Sequence, residues 1–164
     1  MLNSETTKTN IDRETFTITF TRTFAAPREQ VFDAWTKAEH VKHWWDPSGT
    51  PLSECVIDLR PGGAFKFTNQ DSAHSPPFAG SYRVVDPPAK LVFDALGAEG
   101  TVKLNEVNAT TRMIVSIRCA SAEHLEQFLK LGVDEGTART LDNLVTYLGG
   151  APSRGVTSSA APGR

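Results

Sequence analysis

From residue 52 to residue 119 the chain is a succession of short stretches in which apolar and polar side chains alternate, each closed by a turn signal. Successive side chains point to opposite faces of a strand, so a period of two in β-favouring residues marks a half-buried strand. Such stretches cover about 52–60, 64–69, 79–86, 90–95, 101–107 and 110–119. Their inward faces read as Phe65 and Phe67, Tyr82 and Val84, Leu91 and Phe93, Val102 and Leu104, then Met113, Val115, Ile117 and Cys119. Pro-Gly-Gly at 61–63, Asp-Pro-Pro at 86–88, LGAEG at 96–100 and VNAT at 107–110 supply the turns. Short links between consecutive strands predict an antiparallel meander.

A further strand precedes this run. From Thr15 to Phe24, the residues Phe16, Ile18, Phe20 and Phe24 fall on one face and five threonines on the other, with Arg22 interrupting the apolar side and needing a polar partner. Ala26-Pro27-Arg28-Glu29 then opens a helix, because proline fits the first helical turn and a carboxylate suits the positive end of the helix dipole. Val31, Phe32 and Trp35 form its buried stripe. A second short helix over about 38–44 ends before Asp46-Pro47-Ser48-Gly49. After Ser121, a suitable N-cap, residues 122–148 carry the longest helical pattern, stopped by Gly149-Gly150. Polar residues 1–13 predict a disordered lead-in and Pro/Gly/Ser-rich residues 150–164 a disordered tail, with one domain at 14–149 between them. The order predicts an α+β fold: a seven-stranded curved antiparallel sheet around a long C-terminal helix, with two short helices after the first strand.

Charge and motif content narrow the function. The formal net charge is -2 and no dense Lys/Arg run is present, so neither nucleic acid nor an anionic membrane is an expected partner. No apolar run approaches the roughly 18 residues a membrane helix needs. Cys55 and Cys119 stand far apart without a CxxC, and no secretory apolar segment follows Met1, which points to a reducing, cytoplasmic setting without disulfide or zinc. No nucleophile elbow, HExxH, P-loop or dinucleotide fingerprint occurs, so no catalytic residue and no cofactor is assigned.

Two glycines in the last helix, Gly132 and Gly136, each cost about 1 kcal/mol relative to alanine in a helix interior, so their spacing on one face signals close packing or vacated volume. Opposite them stand many aromatic residues. The candidate ligand-binding set is Trp35, Trp45, Phe65, Phe67, Phe78, Tyr82, Phe93 and Phe128 with Gly132 and Gly136. Asp58 and Arg60 share one side of their strand and are candidate polar anchors if that side faces inward; Ile57 and Leu59 compete for it. His40, His43 and Asp46 have spacing compatible with a metal, although a solvated helix face explains them as well, and no metal is assigned. His74 is at most an exposed gate residue, and His124, in a helix first turn, has no expected catalytic part.

Four segments, EQVFDAWTKAEHVKHWWDP, IDLRPGGAFKF, GSYRVVDPPAKLVFDA and GVDEGTARTLDNLVTYL, together resemble the Hsp90-ATPase-activator-homologue-like branch of the START/Bet v1-like (SRPBCC) helix-grip superfamily over about residues 14–149. The resemblance implies the helix-grip fold and a cavity between sheet and long helix. It departs at Val133, where the branch usually has a tryptophan. The eukaryotic co-chaperone of that name carries a separate N-terminal domain that contacts Hsp90, and this chain is expected to lack room for one. The leading expectation is a non-catalytic binding domain for a small hydrophobic or aromatic molecule. An Hsp90 co-chaperone-like interaction module, with an apolar patch around Trp44 and Trp45, and a small cavity enzyme of the cyclase or dehydratase type are the alternatives.

Overall fold

A computed structural model describes residues 7–70 and 77–149. The expected tail at 150–164 and the candidate gate residue His74 lie outside the described residues. One sheet is built from β1 (Lys8–Asp12), β2 (Thr17–Phe24), β3 (Glu54–Ile57), β4 (Ala64–Thr68), β5 (Phe78–Asp86), β6 (Lys90–Ala95), β7 (Ala98–Val107) and β8 (Thr110–Arg118). Its eight strands run in the order β1-β2-β8-β7-β6-β5-β4-β3, every neighbouring pair antiparallel. Helices α1 (Arg28–Thr36) and α2 (Ala38–Trp44) connect β2 to β3, and α3 (Ala122–Lys130) and α4 (Val133–Tyr147) follow β8. This is the helix-grip arrangement, an α+β fold in which a curved sheet wraps a C-terminal helix. Among the described residues no helix is long and apolar enough to cross a membrane.

Three differences from the sequence reading have physical causes. The sheet has eight strands rather than seven, because Lys8–Asp12, inside the expected disordered lead-in, pairs with β2 from Lys8↔Thr21 to Asp12↔Thr17. That edge strand is held by backbone pairing, with no buried face for periodicity to report. The single helix at 122–148 is two helices, since Gly132 adopts φ 76, a left-handed conformation that ends α3 and lets α4 leave in a new direction. In β5, the register shifts between Tyr82 and Val84. The extra residue of this bulge turns Val84 outward and packs Val85 against the core instead.

The core lies between the sheet's concave face and α1, α2 and α4. Ile18 and Phe20 of β2, Val102 and Leu104 of β7, and Met113 and Val115 of β8 meet Val31, Trp44, Leu141 and Leu144 from the helices, all of them buried. Trp44 has no exposed surface, and its indole N–H donates to the carbonyl of Ala34 at 3.1 Å. That carbonyl belongs to the last turn of α1, where no helical amide is left to satisfy it, so one side chain fills the core and caps a helix.

Arg22 finds its partner in α4. Its Nη1 donates to Asp142 Oδ1 at 2.8 Å, and the same oxygen accepts from the Thr7 amide at 3.1 Å and the Thr7 hydroxyl at 2.7 Å. Asp142 thus ties α4 to β2 and to the residue that leads into β1. The Arg22 side chain is only 11 % exposed and its Nε lacks a partner, so this guanidinium depends on Asp142 for its compensation. Asp142→Ala should therefore lower unfolding stability by about 2 kcal/mol, the scale for leaving a largely buried charged donor unpaired. Urea denaturation checks this, and a loss below about 0.5 kcal/mol would contradict the tie.

Candidate functional site

The inward stripe of α4 changes character along its length. Leu141, Leu144 and Val145 are buried against the sheet. One turn earlier the same stripe reads Val133, Gly136, Thr137 and Thr140, residues too small to reach the sheet, and a cavity of about 270 Å³ lies beneath them. Its opposite wall is Val115 and Ile117 of β8, Ala98 and Gly100 of β7, and Phe93 and Ala95 of β6. Trp35, Trp45, Pro47 and Phe78 close one side and Phe128 of α3 the other. Leu96, 61 % exposed at the tip of the β6–β7 turn, stands on the rim.

Local features of the chain position this wall. Gly100 leaves room for the Phe93 ring, since a Cβ there would lie 2.5 Å from it. The β6–β7 link is a two-residue turn, Leu96-Gly97, with φ of 56 and 78, so Ala98 and Gly100 are strand residues rather than part of a longer LGAEG loop. His124 fastens this turn to α3. Its Nδ1 accepts the Ala120 N–H at 3.0 Å while Nε2 faces the Leu96 carbonyl at 3.1 Å, a pattern served by the neutral Nε2–H tautomer.

On the other side, α4 holds the end of α2. The Thr140 hydroxyl donates to the Trp45 carbonyl at 3.0 Å, and Asn143 Nδ2 donates to the Asp46 carbonyl at 3.1 Å. The Asp46 carboxylate accepts from the Ser48 amide and hydroxyl and from Asn69 Nδ2, each at 2.9 Å. Partial burial works to raise its pKa, but these hydrogen bonds outweigh it and the net displacement is downward. The Pro47 loop is thereby fixed across one end of the cavity.

Six of the sequence-derived candidates line this space: Trp35, Trp45, Phe78, Phe93, Phe128 and Gly136. Phe65, Phe67 and Tyr82 stand behind it. Phe65 contacts Phe67, Phe78 and Tyr82 with ring centroids 5.2, 5.7 and 5.1 Å apart, and Trp45 closes on Phe67 and Phe78 at 4.9 and 5.0 Å. The interstice among these rings is about 10 Å³, at most a single water, so they form a packed buttress. Gly132 is the helix break, and a Cβ there would meet nothing within 4 Å.

Asp58 and Arg60 are not cavity residues. β3 ends at Ile57, three residues before the end at 60 that the alternation predicts, and both side chains are exposed in the loop that follows, where Arg60 Nε donates to both Asp58 oxygens at 3.0 Å. The histidine spacing does not build a metal site either. His40 Nδ1 hydrogen-bonds the Tyr147 hydroxyl at 2.6 Å, His43 stacks on the Tyr147 ring, and Asp46 is engaged elsewhere. Among the described residues no three His, Cys, Asp or Glu side chains converge as metal ligands would. The sequence reading singled out Val133 without placing it in the candidate set and missed Thr137 and Thr140, although Gly136, Thr137 and Thr140 follow Val133 at the intervals that keep one helical face; wall residues such as Pro47, Ala98, Gly100, Val115 and Ile117 were also outside the set.

The wall is nearly all carbon. Among the described residues it contains no titratable side chain, and its polar side-chain groups are the hydroxyls of Thr137 and Thr140 and the indole N–H groups of Trp35 and Trp45, that of Trp35 directed to Met113 Sδ at 3.4 Å.

The family model described as "Activator of Hsp90 ATPase homolog 1-like protein" matches residues 25–149. The chain belongs to this family. No curated protein matches the chain. Among solved structures, protein Ms6760 from Mycobacterium smegmatis is similar at 26 % identity and a TM-score of 0.73, covering 88 % of this chain and 98 % of its own. Protein NE0264 from Nitrosomonas europaea is similar at 24 % identity and a TM-score of 0.76, covering 85 % and 97 %. A protein from Arthrobacter aurescens is similar at 21 % identity and a TM-score of 0.75, covering 87 % and 91 %. The Hsp90-activator-homologue-like family and these structures carry the Bet v1-like binding-domain fold found in this chain.

Cys55, half-buried beside the aromatic buttress, has its thiol pKa pushed up to about 11 by burial, which Lys42 only partly offsets. In a Cys119→Ser background, iodoacetamide should therefore alkylate Cys55 at pH 8 on the order of 100-fold more slowly than a free peptide thiol, because the thiolate is the reactive form. The rate should keep rising between pH 9 and pH 11. A plateau by pH 9, measured by mass spectrometry of the adduct, would contradict this environment.

Proposed function

We propose that this protein is a non-catalytic binding domain that encloses a small hydrophobic or aromatic molecule between the sheet and α4. The observation that carries this reading is the 270 Å³ cavity whose described wall is apolar apart from two hydroxyls and two indole N–H groups. A void of that size lined by carbon loses the dispersion contacts a packed core would make, and an apolar guest restores them while leaving water. The family membership supports a binding-domain fold and names no ligand.

Neither alternative has comparable support. A co-chaperone-like module was expected to expose an apolar patch at the tryptophan pair, but Trp44 is fully buried and Trp45 packs on Phe67 and Phe78. A cavity enzyme needs an acid, a base or a nucleophile facing its substrate, and none of the described lining residues supplies one. The two free cysteines, Cys55 and Cys119, suit a cytoplasmic location.

A screen of small aromatic and aliphatic compounds by thermal shift tests the reading. Ligand at 100 times its Kd stabilises the folded state by about 2.7 kcal/mol, which raises the midpoint of a domain this size by roughly 5 to 10 °C. Trp35 and Trp45 line the cavity, so the same ligands should alter indole emission. Val133→Trp, which places an indole inside the cavity, should abolish both responses. Ligands that shift the variant as much as the parent, or a diverse apolar panel with no effect on the parent, would overturn the proposal.

A further inference from the structure

Gly136 sits where nothing in the fold requires a glycine. It lies within α4 at a helical φ, so no left-handed conformation demands it. A Cβ built on it would meet one atom within 4 Å, Pro47 Cγ at 3.9 Å, which is ordinary contact, so no close approach demands it either. Glycine is nonetheless the least favourable helix-interior residue after proline. What the missing side chain leaves behind is open volume under the Pro47 loop, inside the cavity.

The neighbouring residue adds a chemical preference. Of the two lining hydroxyls, that of Thr140 is already given to the Trp45 carbonyl at 3.0 Å. Thr137 Oγ1 makes no hydrogen bond to any described residue and can donate to or accept from a guest. No charged group lines the described wall, so an ionised guest would surrender its hydration without a counter-charge. Size follows from comparison: an apolar cavity of about 150 Å³ takes benzene. At about 270 Å³ this one suits roughly two fused rings.

We propose that Gly136 and Thr137 are the specificity-determining residues of this cavity and that they select a neutral, two-ring aromatic molecule carrying one hydroxyl or carbonyl group. The proposal rests on the cavity-binding reading above and deepens it. Gly136 admits the rings by vacating the α4 side of the space. Thr137 supplies a hydrogen bond that distinguishes a hydroxylated ring system from the bare hydrocarbon.

Calorimetric titration at pH 7 with 2-naphthol, naphthalene and 2-naphthoate tests each part. For the parent protein, 2-naphthol should bind about tenfold more tightly than naphthalene, and 2-naphthoate at least tenfold more weakly than 2-naphthol. Thr137→Val, which keeps the shape and removes the hydroxyl, should bring 2-naphthol down to the naphthalene level while leaving naphthalene unchanged. Gly136→Leu should lose binding of both neutral compounds while its melting temperature stays at or above that of the parent, which separates a filled cavity from a failed fold. Gly136→Ala should melt higher and still bind naphthalene. The specificity proposal is overturned if Thr137→Val preserves the tenfold preference or if 2-naphthoate binds as well as 2-naphthol; in both cases ligands still bind and the cavity reading stands, whereas Gly136→Leu binding like the parent places the ligand outside the cavity and overturns both. Binding confined to compounds much larger than naphthalene overturns the size assignment alone, whereas no binding by any apolar compound overturns both.

Discussion

Two side chains of α4 hold the C-terminal end of α2, and the cavity exists because of that contact. Thr140 donates to the carbonyl of Trp45, which the terminating helix leaves without an amide partner, and Asn143 donates to the carbonyl of Asp46, which also accepts the Gly49 amide at 2.8 Å. These two hydrogen bonds set how close α4 comes to the Trp45–Pro47 corner. Trp45 in turn leans on Phe67 and Phe78, whose strands are paired through β4 and β5. A rigid chain of contacts runs from helix to loop to aromatic buttress to sheet, and small residues in α4 cannot simply let the walls fall together.

Stability and openness are divided along one helix. The C-terminal half of α4 seals the core through Leu141, Leu144 and Val145, and Asp142 on its flank neutralises Arg22 of β2. Because those contacts anchor α4, its N-terminal half can carry Val133, Gly136 and Thr137 without collapse. The break at Gly132 serves the same end: α3 approaches from another direction and delivers Phe128 to the wall, while His124 clamps the Leu96-Gly97 turn at the rim.

Much of this was legible in the sequence wherever burial leaves a period. The alternating strands, the two short helices and the aromatic wall all announce themselves through side chains that must leave water on one face. Where backbone geometry decides, that signal fails. β1 buries no face and is held by its ladder and by the Thr7–Asp142 contact at its start; the Tyr82/Val84 bulge slips the alternation by one residue; and β3 stops at Ile57 although the apolar pattern continues through Leu59. Asp58 and Arg60 then lie in a loop and pair with each other rather than with a guest. Gly132 and Gly136 look alike in sequence, yet one changes the chain's direction and the other withholds a side chain, and only φ tells them apart. Phe65, Phe67 and Tyr82 carry the same aromatic signal as Trp45 and Phe93, but depth in the sheet makes them buttress rather than lining.

The central claim is that the space beneath Gly136 is a permanent apolar pocket and not an accident of side-chain placement. Crystals of the protein exposed to xenon gas address it directly, since xenon occupies apolar cavities and avoids polar, hydrated ones. Xenon is expected in the space bounded by Trp45, Val115, Phe128 and Gly136, with the positions of Trp45 and Phe78 unchanged. Ordered water there, or a cavity closed by Trp45 or Phe78 turned inward with no xenon bound, would contradict the claim.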